Sequence, residues 1–268
     1  MSAKSKIEWT DRTWNPVTGC TKVSRGCKNC YAERDWSRLS ANPKTVYFGR
    51  RFGQVAAHPE RLDQPLRWKR PSRIFVNSMS DLFHEEVDDL TVASVFAAMA
   101  SAAHHHYQIL TKRPARMRDL VARLPALARS VPAHLLPADG DIGPGRNVFL
   151  GVSAEDQATA DARAVPLMLA DTPRRWLSAE PLLGPIEIEP RWGLDWVVAG
   201  GESGPGARPM DPGWARSLRD RCIDLDIPFF FKQWGEHDER GKRVGKREAG
   251  RLLDGRTWDG YPPVEPDV

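Results

Sequence analysis

The sequence predicts an α/β protein whose parallel strands form a full or partial (β/α) barrel. Short hydrophobic segments rich in β-branched and aromatic residues recur along the 268-residue chain and alternate with helical patterns. Such alternation is typical of parallel sheets, because each crossover between parallel strands commonly contains a helix. The right-handed crossover rule then favours a curled sheet. A doubly wound open sheet remains the alternative, since it has the same alternation.

The predicted elements follow one another in a regular order. The first strand is predicted at 13–18, directly before a loop with three cysteines. Further strands are predicted at 73–78, 107–110, 148–152, 175–177, 196–199 and 228–231. Helices are predicted at 31–39, 88–103, 114–124 and 212–225, with another that ends near residue 170. An acidic first turn in the second helix and a proline at the start of the third support those boundaries.

The domain organisation follows from where the alternation of predicted strands and helices is interrupted. Residues 1–234 are predicted to form a single barrel domain, and residues 235–268 a polar C-terminal tail or hairpin. Residues 125–146 are rich in Pro and Gly, which predicts an inserted surface loop. A chain of 268 residues is long enough for one large core.

Composition narrows the class of protein. No run approaches the roughly 18 apolar residues that cross a bilayer, so we expect no membrane partner. The N-terminal MSAKSKIEWT has no apolar core of a signal peptide, and we therefore expect a cytoplasmic protein. In that setting three clustered cysteines are typical of metal ligands rather than of disulfides.

Charge is distributed unevenly along the chain. Residues 1–73 contain 16 Lys and Arg against 6 Asp and Glu, a balance of +10, so the remainder carries −6 within a net charge of +4. Four of the ten tryptophans lie in this basic part. A basic surface with aromatic residues indicates nucleic acid as a partner, whereas a solvated face with core tryptophans is the plainer interpretation.

The most informative stretch is the cysteine loop, TWNPVTGCTKVSRGCKNCYAE. Its thiols belong to Cys20, Cys27 and Cys30, in a C-x6-C-x2-C spacing. Gly19 and Gly26 let the loop bend. Three thiolates without an obvious fourth ligand suit a 4Fe–4S cluster with one open iron. A structural zinc site is the alternative, with His58 or His84 as the fourth ligand.

Polar residues follow nearly every predicted strand. They are Asp81, Lys112, Glu155, Glu180, Glu202 and Lys232. The carboxyl ends of parallel strands lie at one edge of a sheet, which is where active sites are found. The first strand ends there too, so we expect the cysteine loop to share an edge with these residues.

These residues resemble a known family. The segments WNPVTGC, SRGCKNCYAE, VNSMSDLFHE, ILTKRP, GVSAE, LSAEPLLG, AGGESG and FFKQWGE cover nearly the whole chain outside 125–146. Together they resemble the phage and bacterial three-Cys-motif proteins, a radical S-adenosylmethionine (SAM)-like family known mainly as a phage protein of unknown function. The resemblance implies a radical SAM type of barrel, an external electron donor and a separate partner protein encoded nearby.

The resemblance also implies an activity. A 4Fe–4S cluster on Cys20, Cys27 and Cys30 would cleave SAM to methionine and a 5′-deoxyadenosyl radical, on a substrate that the sequence leaves open. The predicted SAM-contacting residues are Tyr31, Ser78, Ser80, Asp81, Lys112, Ser153, Glu155 and Glu180. The predicted substrate-facing residues are Glu202, Lys232 and Trp234.

Two features depart from the usual radical SAM pattern. The first gap between cysteines is six residues rather than three. The second strand ends in Asn77-Ser78-Met79-Ser80-Asp81 instead of the glycine-rich GGE that holds the SAM amino group, while a GGE occurs late, at 200–202. Two further functions therefore stay open: a zinc-stabilised, non-catalytic nucleic-acid-binding protein, and an iron–sulfur protein that has lost SAM chemistry.

Overall fold

The computed structural model describes residue 5 and residues 7–263. The strands are β1 Arg12–Trp14, β2 Val17–Thr18, β3 Ala56–Ala57, β4 Arg73–Val76, β5 His106–Thr111, β6 Val148–Ser153, β7 Arg175–Ala179, β8 Trp196–Gly200 and β9 Phe229–Gln233. The α-helices are α1 Tyr31–Ser40, α2 Asp89–Ser101, α3 Pro114–Val121, α4 Leu124–Leu127, α5 Gln157–Met168, α6 Pro212–Asp224 and α7 Lys246–Ala249. Short 3-10 turns connect several of them.

The main sheet has seven strands in the order β1-β4-β5-β6-β7-β8-β9. The pairs β1–β4, β4–β5, β7–β8 and β8–β9 are parallel. The prediction of an α/β protein with a parallel sheet is therefore confirmed. The order is linear, with β1 and β9 at its two ends, so these strands do not close into a full barrel. Along residue 5 and residues 7–263, no helix has the length and apolar character to cross a membrane.

The chain divides into two compact units. The first comprises Met1–Thr21, Asp35–Gly151 and Leu169–Arg174, as far as these are described. The second comprises Lys22–Arg34, Val152–Met168 and Arg175–Val268, with the same restriction. The proposed division into a domain at 1–234 and a tail at 235–268 stays a prediction, and residues 264–268 of that tail lie outside the described residues.

One predicted strand of the first unit is divided into two in the structure. The segment 13–18 forms two strands, β1 and β2, separated by Asn15 and Pro16. β1 pairs with β4, while β2 pairs with β3 in the antiparallel sense. Proline lacks the backbone N–H that a continuous strand would donate, which explains the break. The chain then enters the cysteine loop from β2.

Packing in the first unit explains its remaining elements. Asp88 caps α2 by accepting a hydrogen bond from Thr91 N at 2.8 Å. α2 is buried along most of its length, and so its sequence is apolar all round. The segment 125–146, predicted as a surface loop, forms short helical turns and buries Val131, Leu135 and Ile142.

The second unit is built around two stacked tryptophans on neighbouring strands. Trp176 on β7 and Trp196 on β8 have ring centroids 5.0 Å apart, inclined at 28°. Trp196 Nε1 donates to Gly260 O at 2.9 Å, and its ring contacts that of Tyr261. The chain near residue 260 also runs antiparallel beside β9, where Phe231 N donates to Trp258 O at 2.9 Å. The C-terminal segment is thus part of this core.

Replacing Trp196 by alanine tests that arrangement. We expect Trp196→Ala to lower the free energy of unfolding by roughly 3–5 kcal/mol, because it removes a fully buried ring and its hydrogen bond. The measurement is urea unfolding followed by circular dichroism. Ile223→Ala is the control, since Ile223 is 56% exposed on α6 and should change stability by less than about 0.5 kcal/mol. Equal effects of the two substitutions would contradict this description of the core.

Candidate functional site

The first part of the cysteine loop is fixed to its surroundings by backbone hydrogen bonds. Gly19 N donates to Met79 O and Cys20 N donates to Phe52 O, both at 3.0 Å. Gly19 has a φ of +92°, and a Cβ there would overlap the carbonyl oxygen of Gln54. Only glycine fits this position, and the turn places Cys20 after β2 in a defined orientation.

A buried arginine lies beside Cys20. Arg113 Nη1 is 3.7 Å from Cys20 Sγ, and Arg113 Nη2 donates to Thr21 Oγ1 at 2.9 Å. Burial lowers the pKa of Arg113, but the charges of Asp81, Cys20 and Glu85 outweigh it and raise that pKa overall. A permanent cation therefore neighbours this sulfur and stabilises the thiolate, which is the form that binds metals.

Asp81 holds two strand ends together. Its carboxylate accepts hydrogen bonds from Thr111 Oγ1 at 2.7 Å and from Lys112 N at 3.1 Å. It also pairs with Arg113 at 3.2 Å. Asp81 is buried, and its oxygens are occupied by protein donors. These contacts give it a positioning role, and its predicted contact with SAM stays a prediction.

The two serines near Asp81 have local partners. Ser78 Oγ lies 3.1 Å from Asn15 Nδ2, and Ser80 Oγ donates to Val17 O at 2.9 Å. Both serines are half-buried, as is the side chain of Lys112. The sequence placed all three at the carboxyl ends of strands, and they lie there.

The two histidines considered as zinc ligands are engaged elsewhere. His84 Nδ1 accepts from Glu86 N at 3.1 Å, so Nε2 carries the proton that it shares with Thr21 Oγ1 at 2.8 Å. His58 Nε2 lies 2.7 Å from Thr18 Oγ1. Burial lowers the pKa of His58 to about 4 and also lowers that of His84. Both rings are therefore neutral hydrogen-bonding groups of the first unit at neutral pH.

In the second unit, Glu155 binds the continuation of the cysteine loop. Glu155 follows β6 and is fully buried. Its Oε1 accepts hydrogen bonds from Ser24 Oγ and, at 3.0 Å, from Gly26 N. Its Oε2 pairs with Arg163 Nη1 on α5 at 2.7 Å. A Cβ on Gly26 would overlap Oε1 of Glu155, so the close approach requires glycine.

Glu202 fixes the same loop from the end of β8. Its Oε2 accepts from Asn29 Nδ2 at 2.8 Å, and Arg208 forms an ion pair with it at 2.5 Å. Burial raises the pKa of Glu202, but Arg208 and Asn29 outweigh this effect and lower it below 4.5. The carboxylate is thus ionised at neutral pH. Its stabilising contribution is present above pH 4.5 and is lost as the pH falls through the lowered pKa.

The remaining predicted site residues have varied surroundings. Glu180 pairs with Lys232 at 3.0 Å, and Ser153 Oγ donates to Glu180 O at 3.0 Å. Trp234 is buried, its Nε1 donates to Leu252 O at 2.7 Å, and its ring packs on Phe231. Tyr31, the first residue of α1, is 42% exposed. The SAM and substrate roles of these residues stay predictions.

The cysteines themselves are thiols, and the described chain contains no disulfide. Cys20, Cys27 and Cys30 are half-buried, and Ser24 Oγ lies 3.9 Å from Cys27 Sγ. Over residue 5 and residues 7–263, no three His, Cys, Asp or Glu side chains are grouped as ligands of one metal ion. The donor chemistry nonetheless fits an iron–sulfur cluster, with three thiols, a cation beside one and a hydroxyl beside another.

Cys222 differs from the other three. It is fully buried on α6, and burial raises the pKa of its thiol to about 12. It is therefore an uncharged core thiol at neutral pH.

Several residues of the site were missed by sequence reasoning. They are Ser24, Asn29, Arg113, Arg163 and Arg208, which act on the loop through hydrogen bonds and ion pairs. Two of these five, Ser24 and Asn29, flank Cys27 in sequence, and that adjacency is a usable signal. The three arginines give no such signal, because only the folded chain brings them to their partners.

Fold and site together define a class: an α/β protein with a parallel sheet and a cysteine-bearing loop bound by carboxylates that follow β6 and β8. Residues 4–262 match the family described as "Protein of unknown function (DUF5131)". The chain belongs to this family.

Solved structures offer a more distant likeness. The chain is similar to "Spore photoproduct lyase complexed with dinucleoside spore photoproduct", with 12% identity, a TM-score of 0.46, and coverage of 82% of this chain and 63% of that one. A point mutant of the same lyase gives 12% identity, a TM-score of 0.45, and coverage of 85% and 65%. The chain thus spans less than two thirds of those lyase structures. No curated protein matches it.

Alanine at Gly26 tests the binding of the loop by Glu155. We expect Gly26→Ala to destabilise the protein by roughly 1–3 kcal/mol, because the added methyl group overlaps Glu155 and displaces the loop. Alkylation of Cys27 and Cys30 should also become faster, which mass spectrometry of labelled peptides measures. Gly53→Ala is the matched control, since a Cβ there meets nothing within 4 Å. Unchanged stability and labelling in Gly26→Ala would refute the contact.

Proposed function

We propose that the protein is an iron–sulfur enzyme of the radical SAM type, in which Cys20, Cys27 and Cys30 hold a 4Fe–4S cluster. The observation that carries the proposal is the cysteine loop itself. Its three thiols are half-buried, and buried carboxylates that follow parallel strands hold it, Glu155 at the backbone of Gly26 and Glu202 at the side chain of Asn29. A loop that only joins two elements does not require such anchoring.

The side chains around the thiols support the proposal. Arg113 lies beside Cys20 Sγ, and Ser24 Oγ is close to Cys27 Sγ. The pKa of Lys22 is raised, chiefly by its hydrogen bond to Glu33 and also by Cys30 and Cys27. Positive charge and polar groups near cysteine sulfur influence the potential of a bound cluster. When bound, the cluster would supply the electron that cleaves SAM into methionine and a 5′-deoxyadenosyl radical.

The surroundings of the predicted ligands divide them into two sets under this proposal. Asp81 and Glu155, whose oxygens accept protein donors, would orient strand ends and the loop. Tyr31, Ser78, Ser80, Lys112, Ser153 and Glu180 would contact SAM, and Glu202, Lys232 and Trp234 belong to the substrate side of the proposal. The electron donor is a separate reductant, and a partner protein encoded nearby remains part of the proposal.

Anaerobic reconstitution tests the cluster. With iron, sulfide and a reductant, we expect about four iron and four sulfide per chain, absorption of an iron–sulfur cluster, and release of 5′-deoxyadenosine from SAM. Cys20→Ala, Cys27→Ala and Cys30→Ala should each abolish SAM cleavage and lower iron content. Cys222→Ala is the matched control and should keep both, because Cys222 is a core thiol.

The same experiment separates the alternatives. One equivalent of zinc without iron would replace the proposal by the zinc-stabilised protein. A complete cluster without SAM binding in calorimetry would leave an iron–sulfur protein that has lost SAM chemistry. Iron binding that survives all three loop substitutions would place the metal elsewhere.

We further propose that the first unit binds single-stranded nucleic acid. The binding surface consists of Arg38, Lys44, Phe48 and Arg51, which we term the Phe48 surface. All four are exposed, and Phe48 is 55% exposed. Arg38 lies on α1, and the segment that carries the other three folds back on the end of that helix, where Gly49 N donates to Ser40 O at 3.0 Å.

Charge and chemistry favour that partner. Between Asp35 and Glu60 the sequence has no Asp or Glu. The three cationic side chains of the Phe48 surface have no ion-pair partner among the described residues, whereas exposed arginines such as Arg67, Arg123 and Arg191 face a carboxylate. Cations that follow a phosphate backbone, together with an exposed ring on which a base can stack, are the common features of single-strand binding.

Fluorescence anisotropy with a labelled oligonucleotide tests this surface. We expect Phe48→Ser to weaken binding by roughly 1–3 kcal/mol through lost stacking. Replacing Arg38, Lys44 and Arg51 by serine should reduce the slope of log affinity against log salt by about 2. Leu169→Ser, at an equally exposed apolar residue, should change neither quantity. Binding that is absent, or that ignores salt, would exclude nucleic acid at this surface.

A further inference from the structure

One buried amide has no hydrogen-bond partner. Asn77 follows β4 and is only 3% exposed, yet neither its Oδ1 nor its Nδ2 meets a partner among the described residues. Gln108 on the neighbouring strand β5 is equally buried and shows the ordinary situation. Its Oε1 accepts from Thr10 Oγ1 at 3.0 Å, and its Nε2 donates to Trp9 O at 3.3 Å.

An unsatisfied buried amide is costly for a folded protein, because its polar atoms lose water and gain nothing in return. Most buried polar side chains are therefore paired, and an exception requires an explanation. Function is one such explanation, since sites that bind a ligand are less well satisfied without it. If Asn77 served only to pack, a leucine at this position would give a more stable protein.

The position of Asn77 supports a ligand. It stands at the carboxyl end of a parallel strand, which is the edge where α/β proteins bind small molecules. It precedes Ser78 and Ser80, which are half-buried and lie at the same strand end. Asp81, by contrast, is filled by protein donors. Asn77 is thus the group at this strand end with hydrogen-bonding capacity left over.

The chemistry of a carboxamide narrows the ligand class. It offers an acceptor and a donor side by side, so it matches a ligand group with an adjacent donor and acceptor. Asparagine pairs in this way with adenine, accepting from N6–H and donating to N7. We infer that Asn77 recognises the adenine base of an adenosine-containing ligand.

This inference deepens the proposed function, on which it rests for the identity of the ligand as SAM. Adenine recognition itself needs no cluster, and so the two can be tested apart. The probe is S-adenosylhomocysteine, which carries the same adenosine and is not cleaved. Its 7-deaza analogue lacks the N7 acceptor, and its inosine analogue lacks the N6 donor.

Calorimetry with these three compounds, before and after cluster reconstitution, tests the pairing. With the wild-type protein we expect each analogue to bind at least about tenfold more weakly than S-adenosylhomocysteine. Asn77→Leu should lose this discrimination and bind all three with the same weakened affinity. The wild-type ligand series remains decisive if that variant does not fold.

Gln108→Leu is the matched control. It replaces a buried amide that is fully paired inside the protein, so it should lower the melting temperature and keep the discrimination between the three compounds. Asn77→Leu should keep or raise the melting temperature of the ligand-free protein, because it removes an unsatisfied group. This opposite pattern distinguishes ligand recognition from a structural role.

The outcomes separate the inference from the proposed function. If Asn77 discriminates between the three compounds in a protein that never assembles a cluster, the result supports adenine recognition and contradicts the radical SAM proposal. A cluster that assembles and cleaves SAM, with no change in Asn77→Leu, would support the radical SAM proposal and contradict adenine recognition by Asn77. Wild-type protein that binds all three compounds alike, or none of them, would overturn the inference.

Discussion

The cysteine loop depends on one buried interaction, the carboxylate of Glu155 with the backbone at Gly26. Oε1 accepts the loop's N–H at 3.0 Å, while Oε2 is neutralised by Arg163 at 2.7 Å. An ionised carboxylate is stable in a buried position only when charge and hydrogen bonds compensate for lost water. The arginine supplies the charge and the loop supplies the donors, so loop conformation and burial of Glu155 require each other.

The carboxylates at the strand ends therefore orient protein segments, whereas their sequence pattern predicts contacts with SAM or substrate. Asp81, Glu155 and Glu202 are occupied by protein donors and orient the elements around them. Under the proposed function, such preorganisation would let the thiols bind a cluster without reorganisation. Asn77, with its hydrogen bonds unmade, stands out against this background as the group that is left for a ligand.

The sequence predicted the parts of the fold that depend on local pattern. Strands such as β5 and β8, and the helix α2 with its cap at Asp88, are recognisable because hydrophobic period and capping residues are local signals. Pro16, which separates β1 from β2, is itself a local signal for the break within 13–18. The contacts of Arg113 and the unpaired amide of Asn77 could not be predicted from the sequence, because pairing and burial arise only when distant segments meet.

The antiparallel segment beside β9 has a consequence for how this protein meets other chains. A terminal strand normally presents unused N–H and C=O groups, which can template pairing with a second molecule. Here Phe231 N and Phe229 O are bonded to Trp258 O and Gly260 N, so that β9 offers no open row of peptide groups at this point. Removal of the chain from Trp258 onward would expose these peptide groups of β9 and favour pairing between molecules.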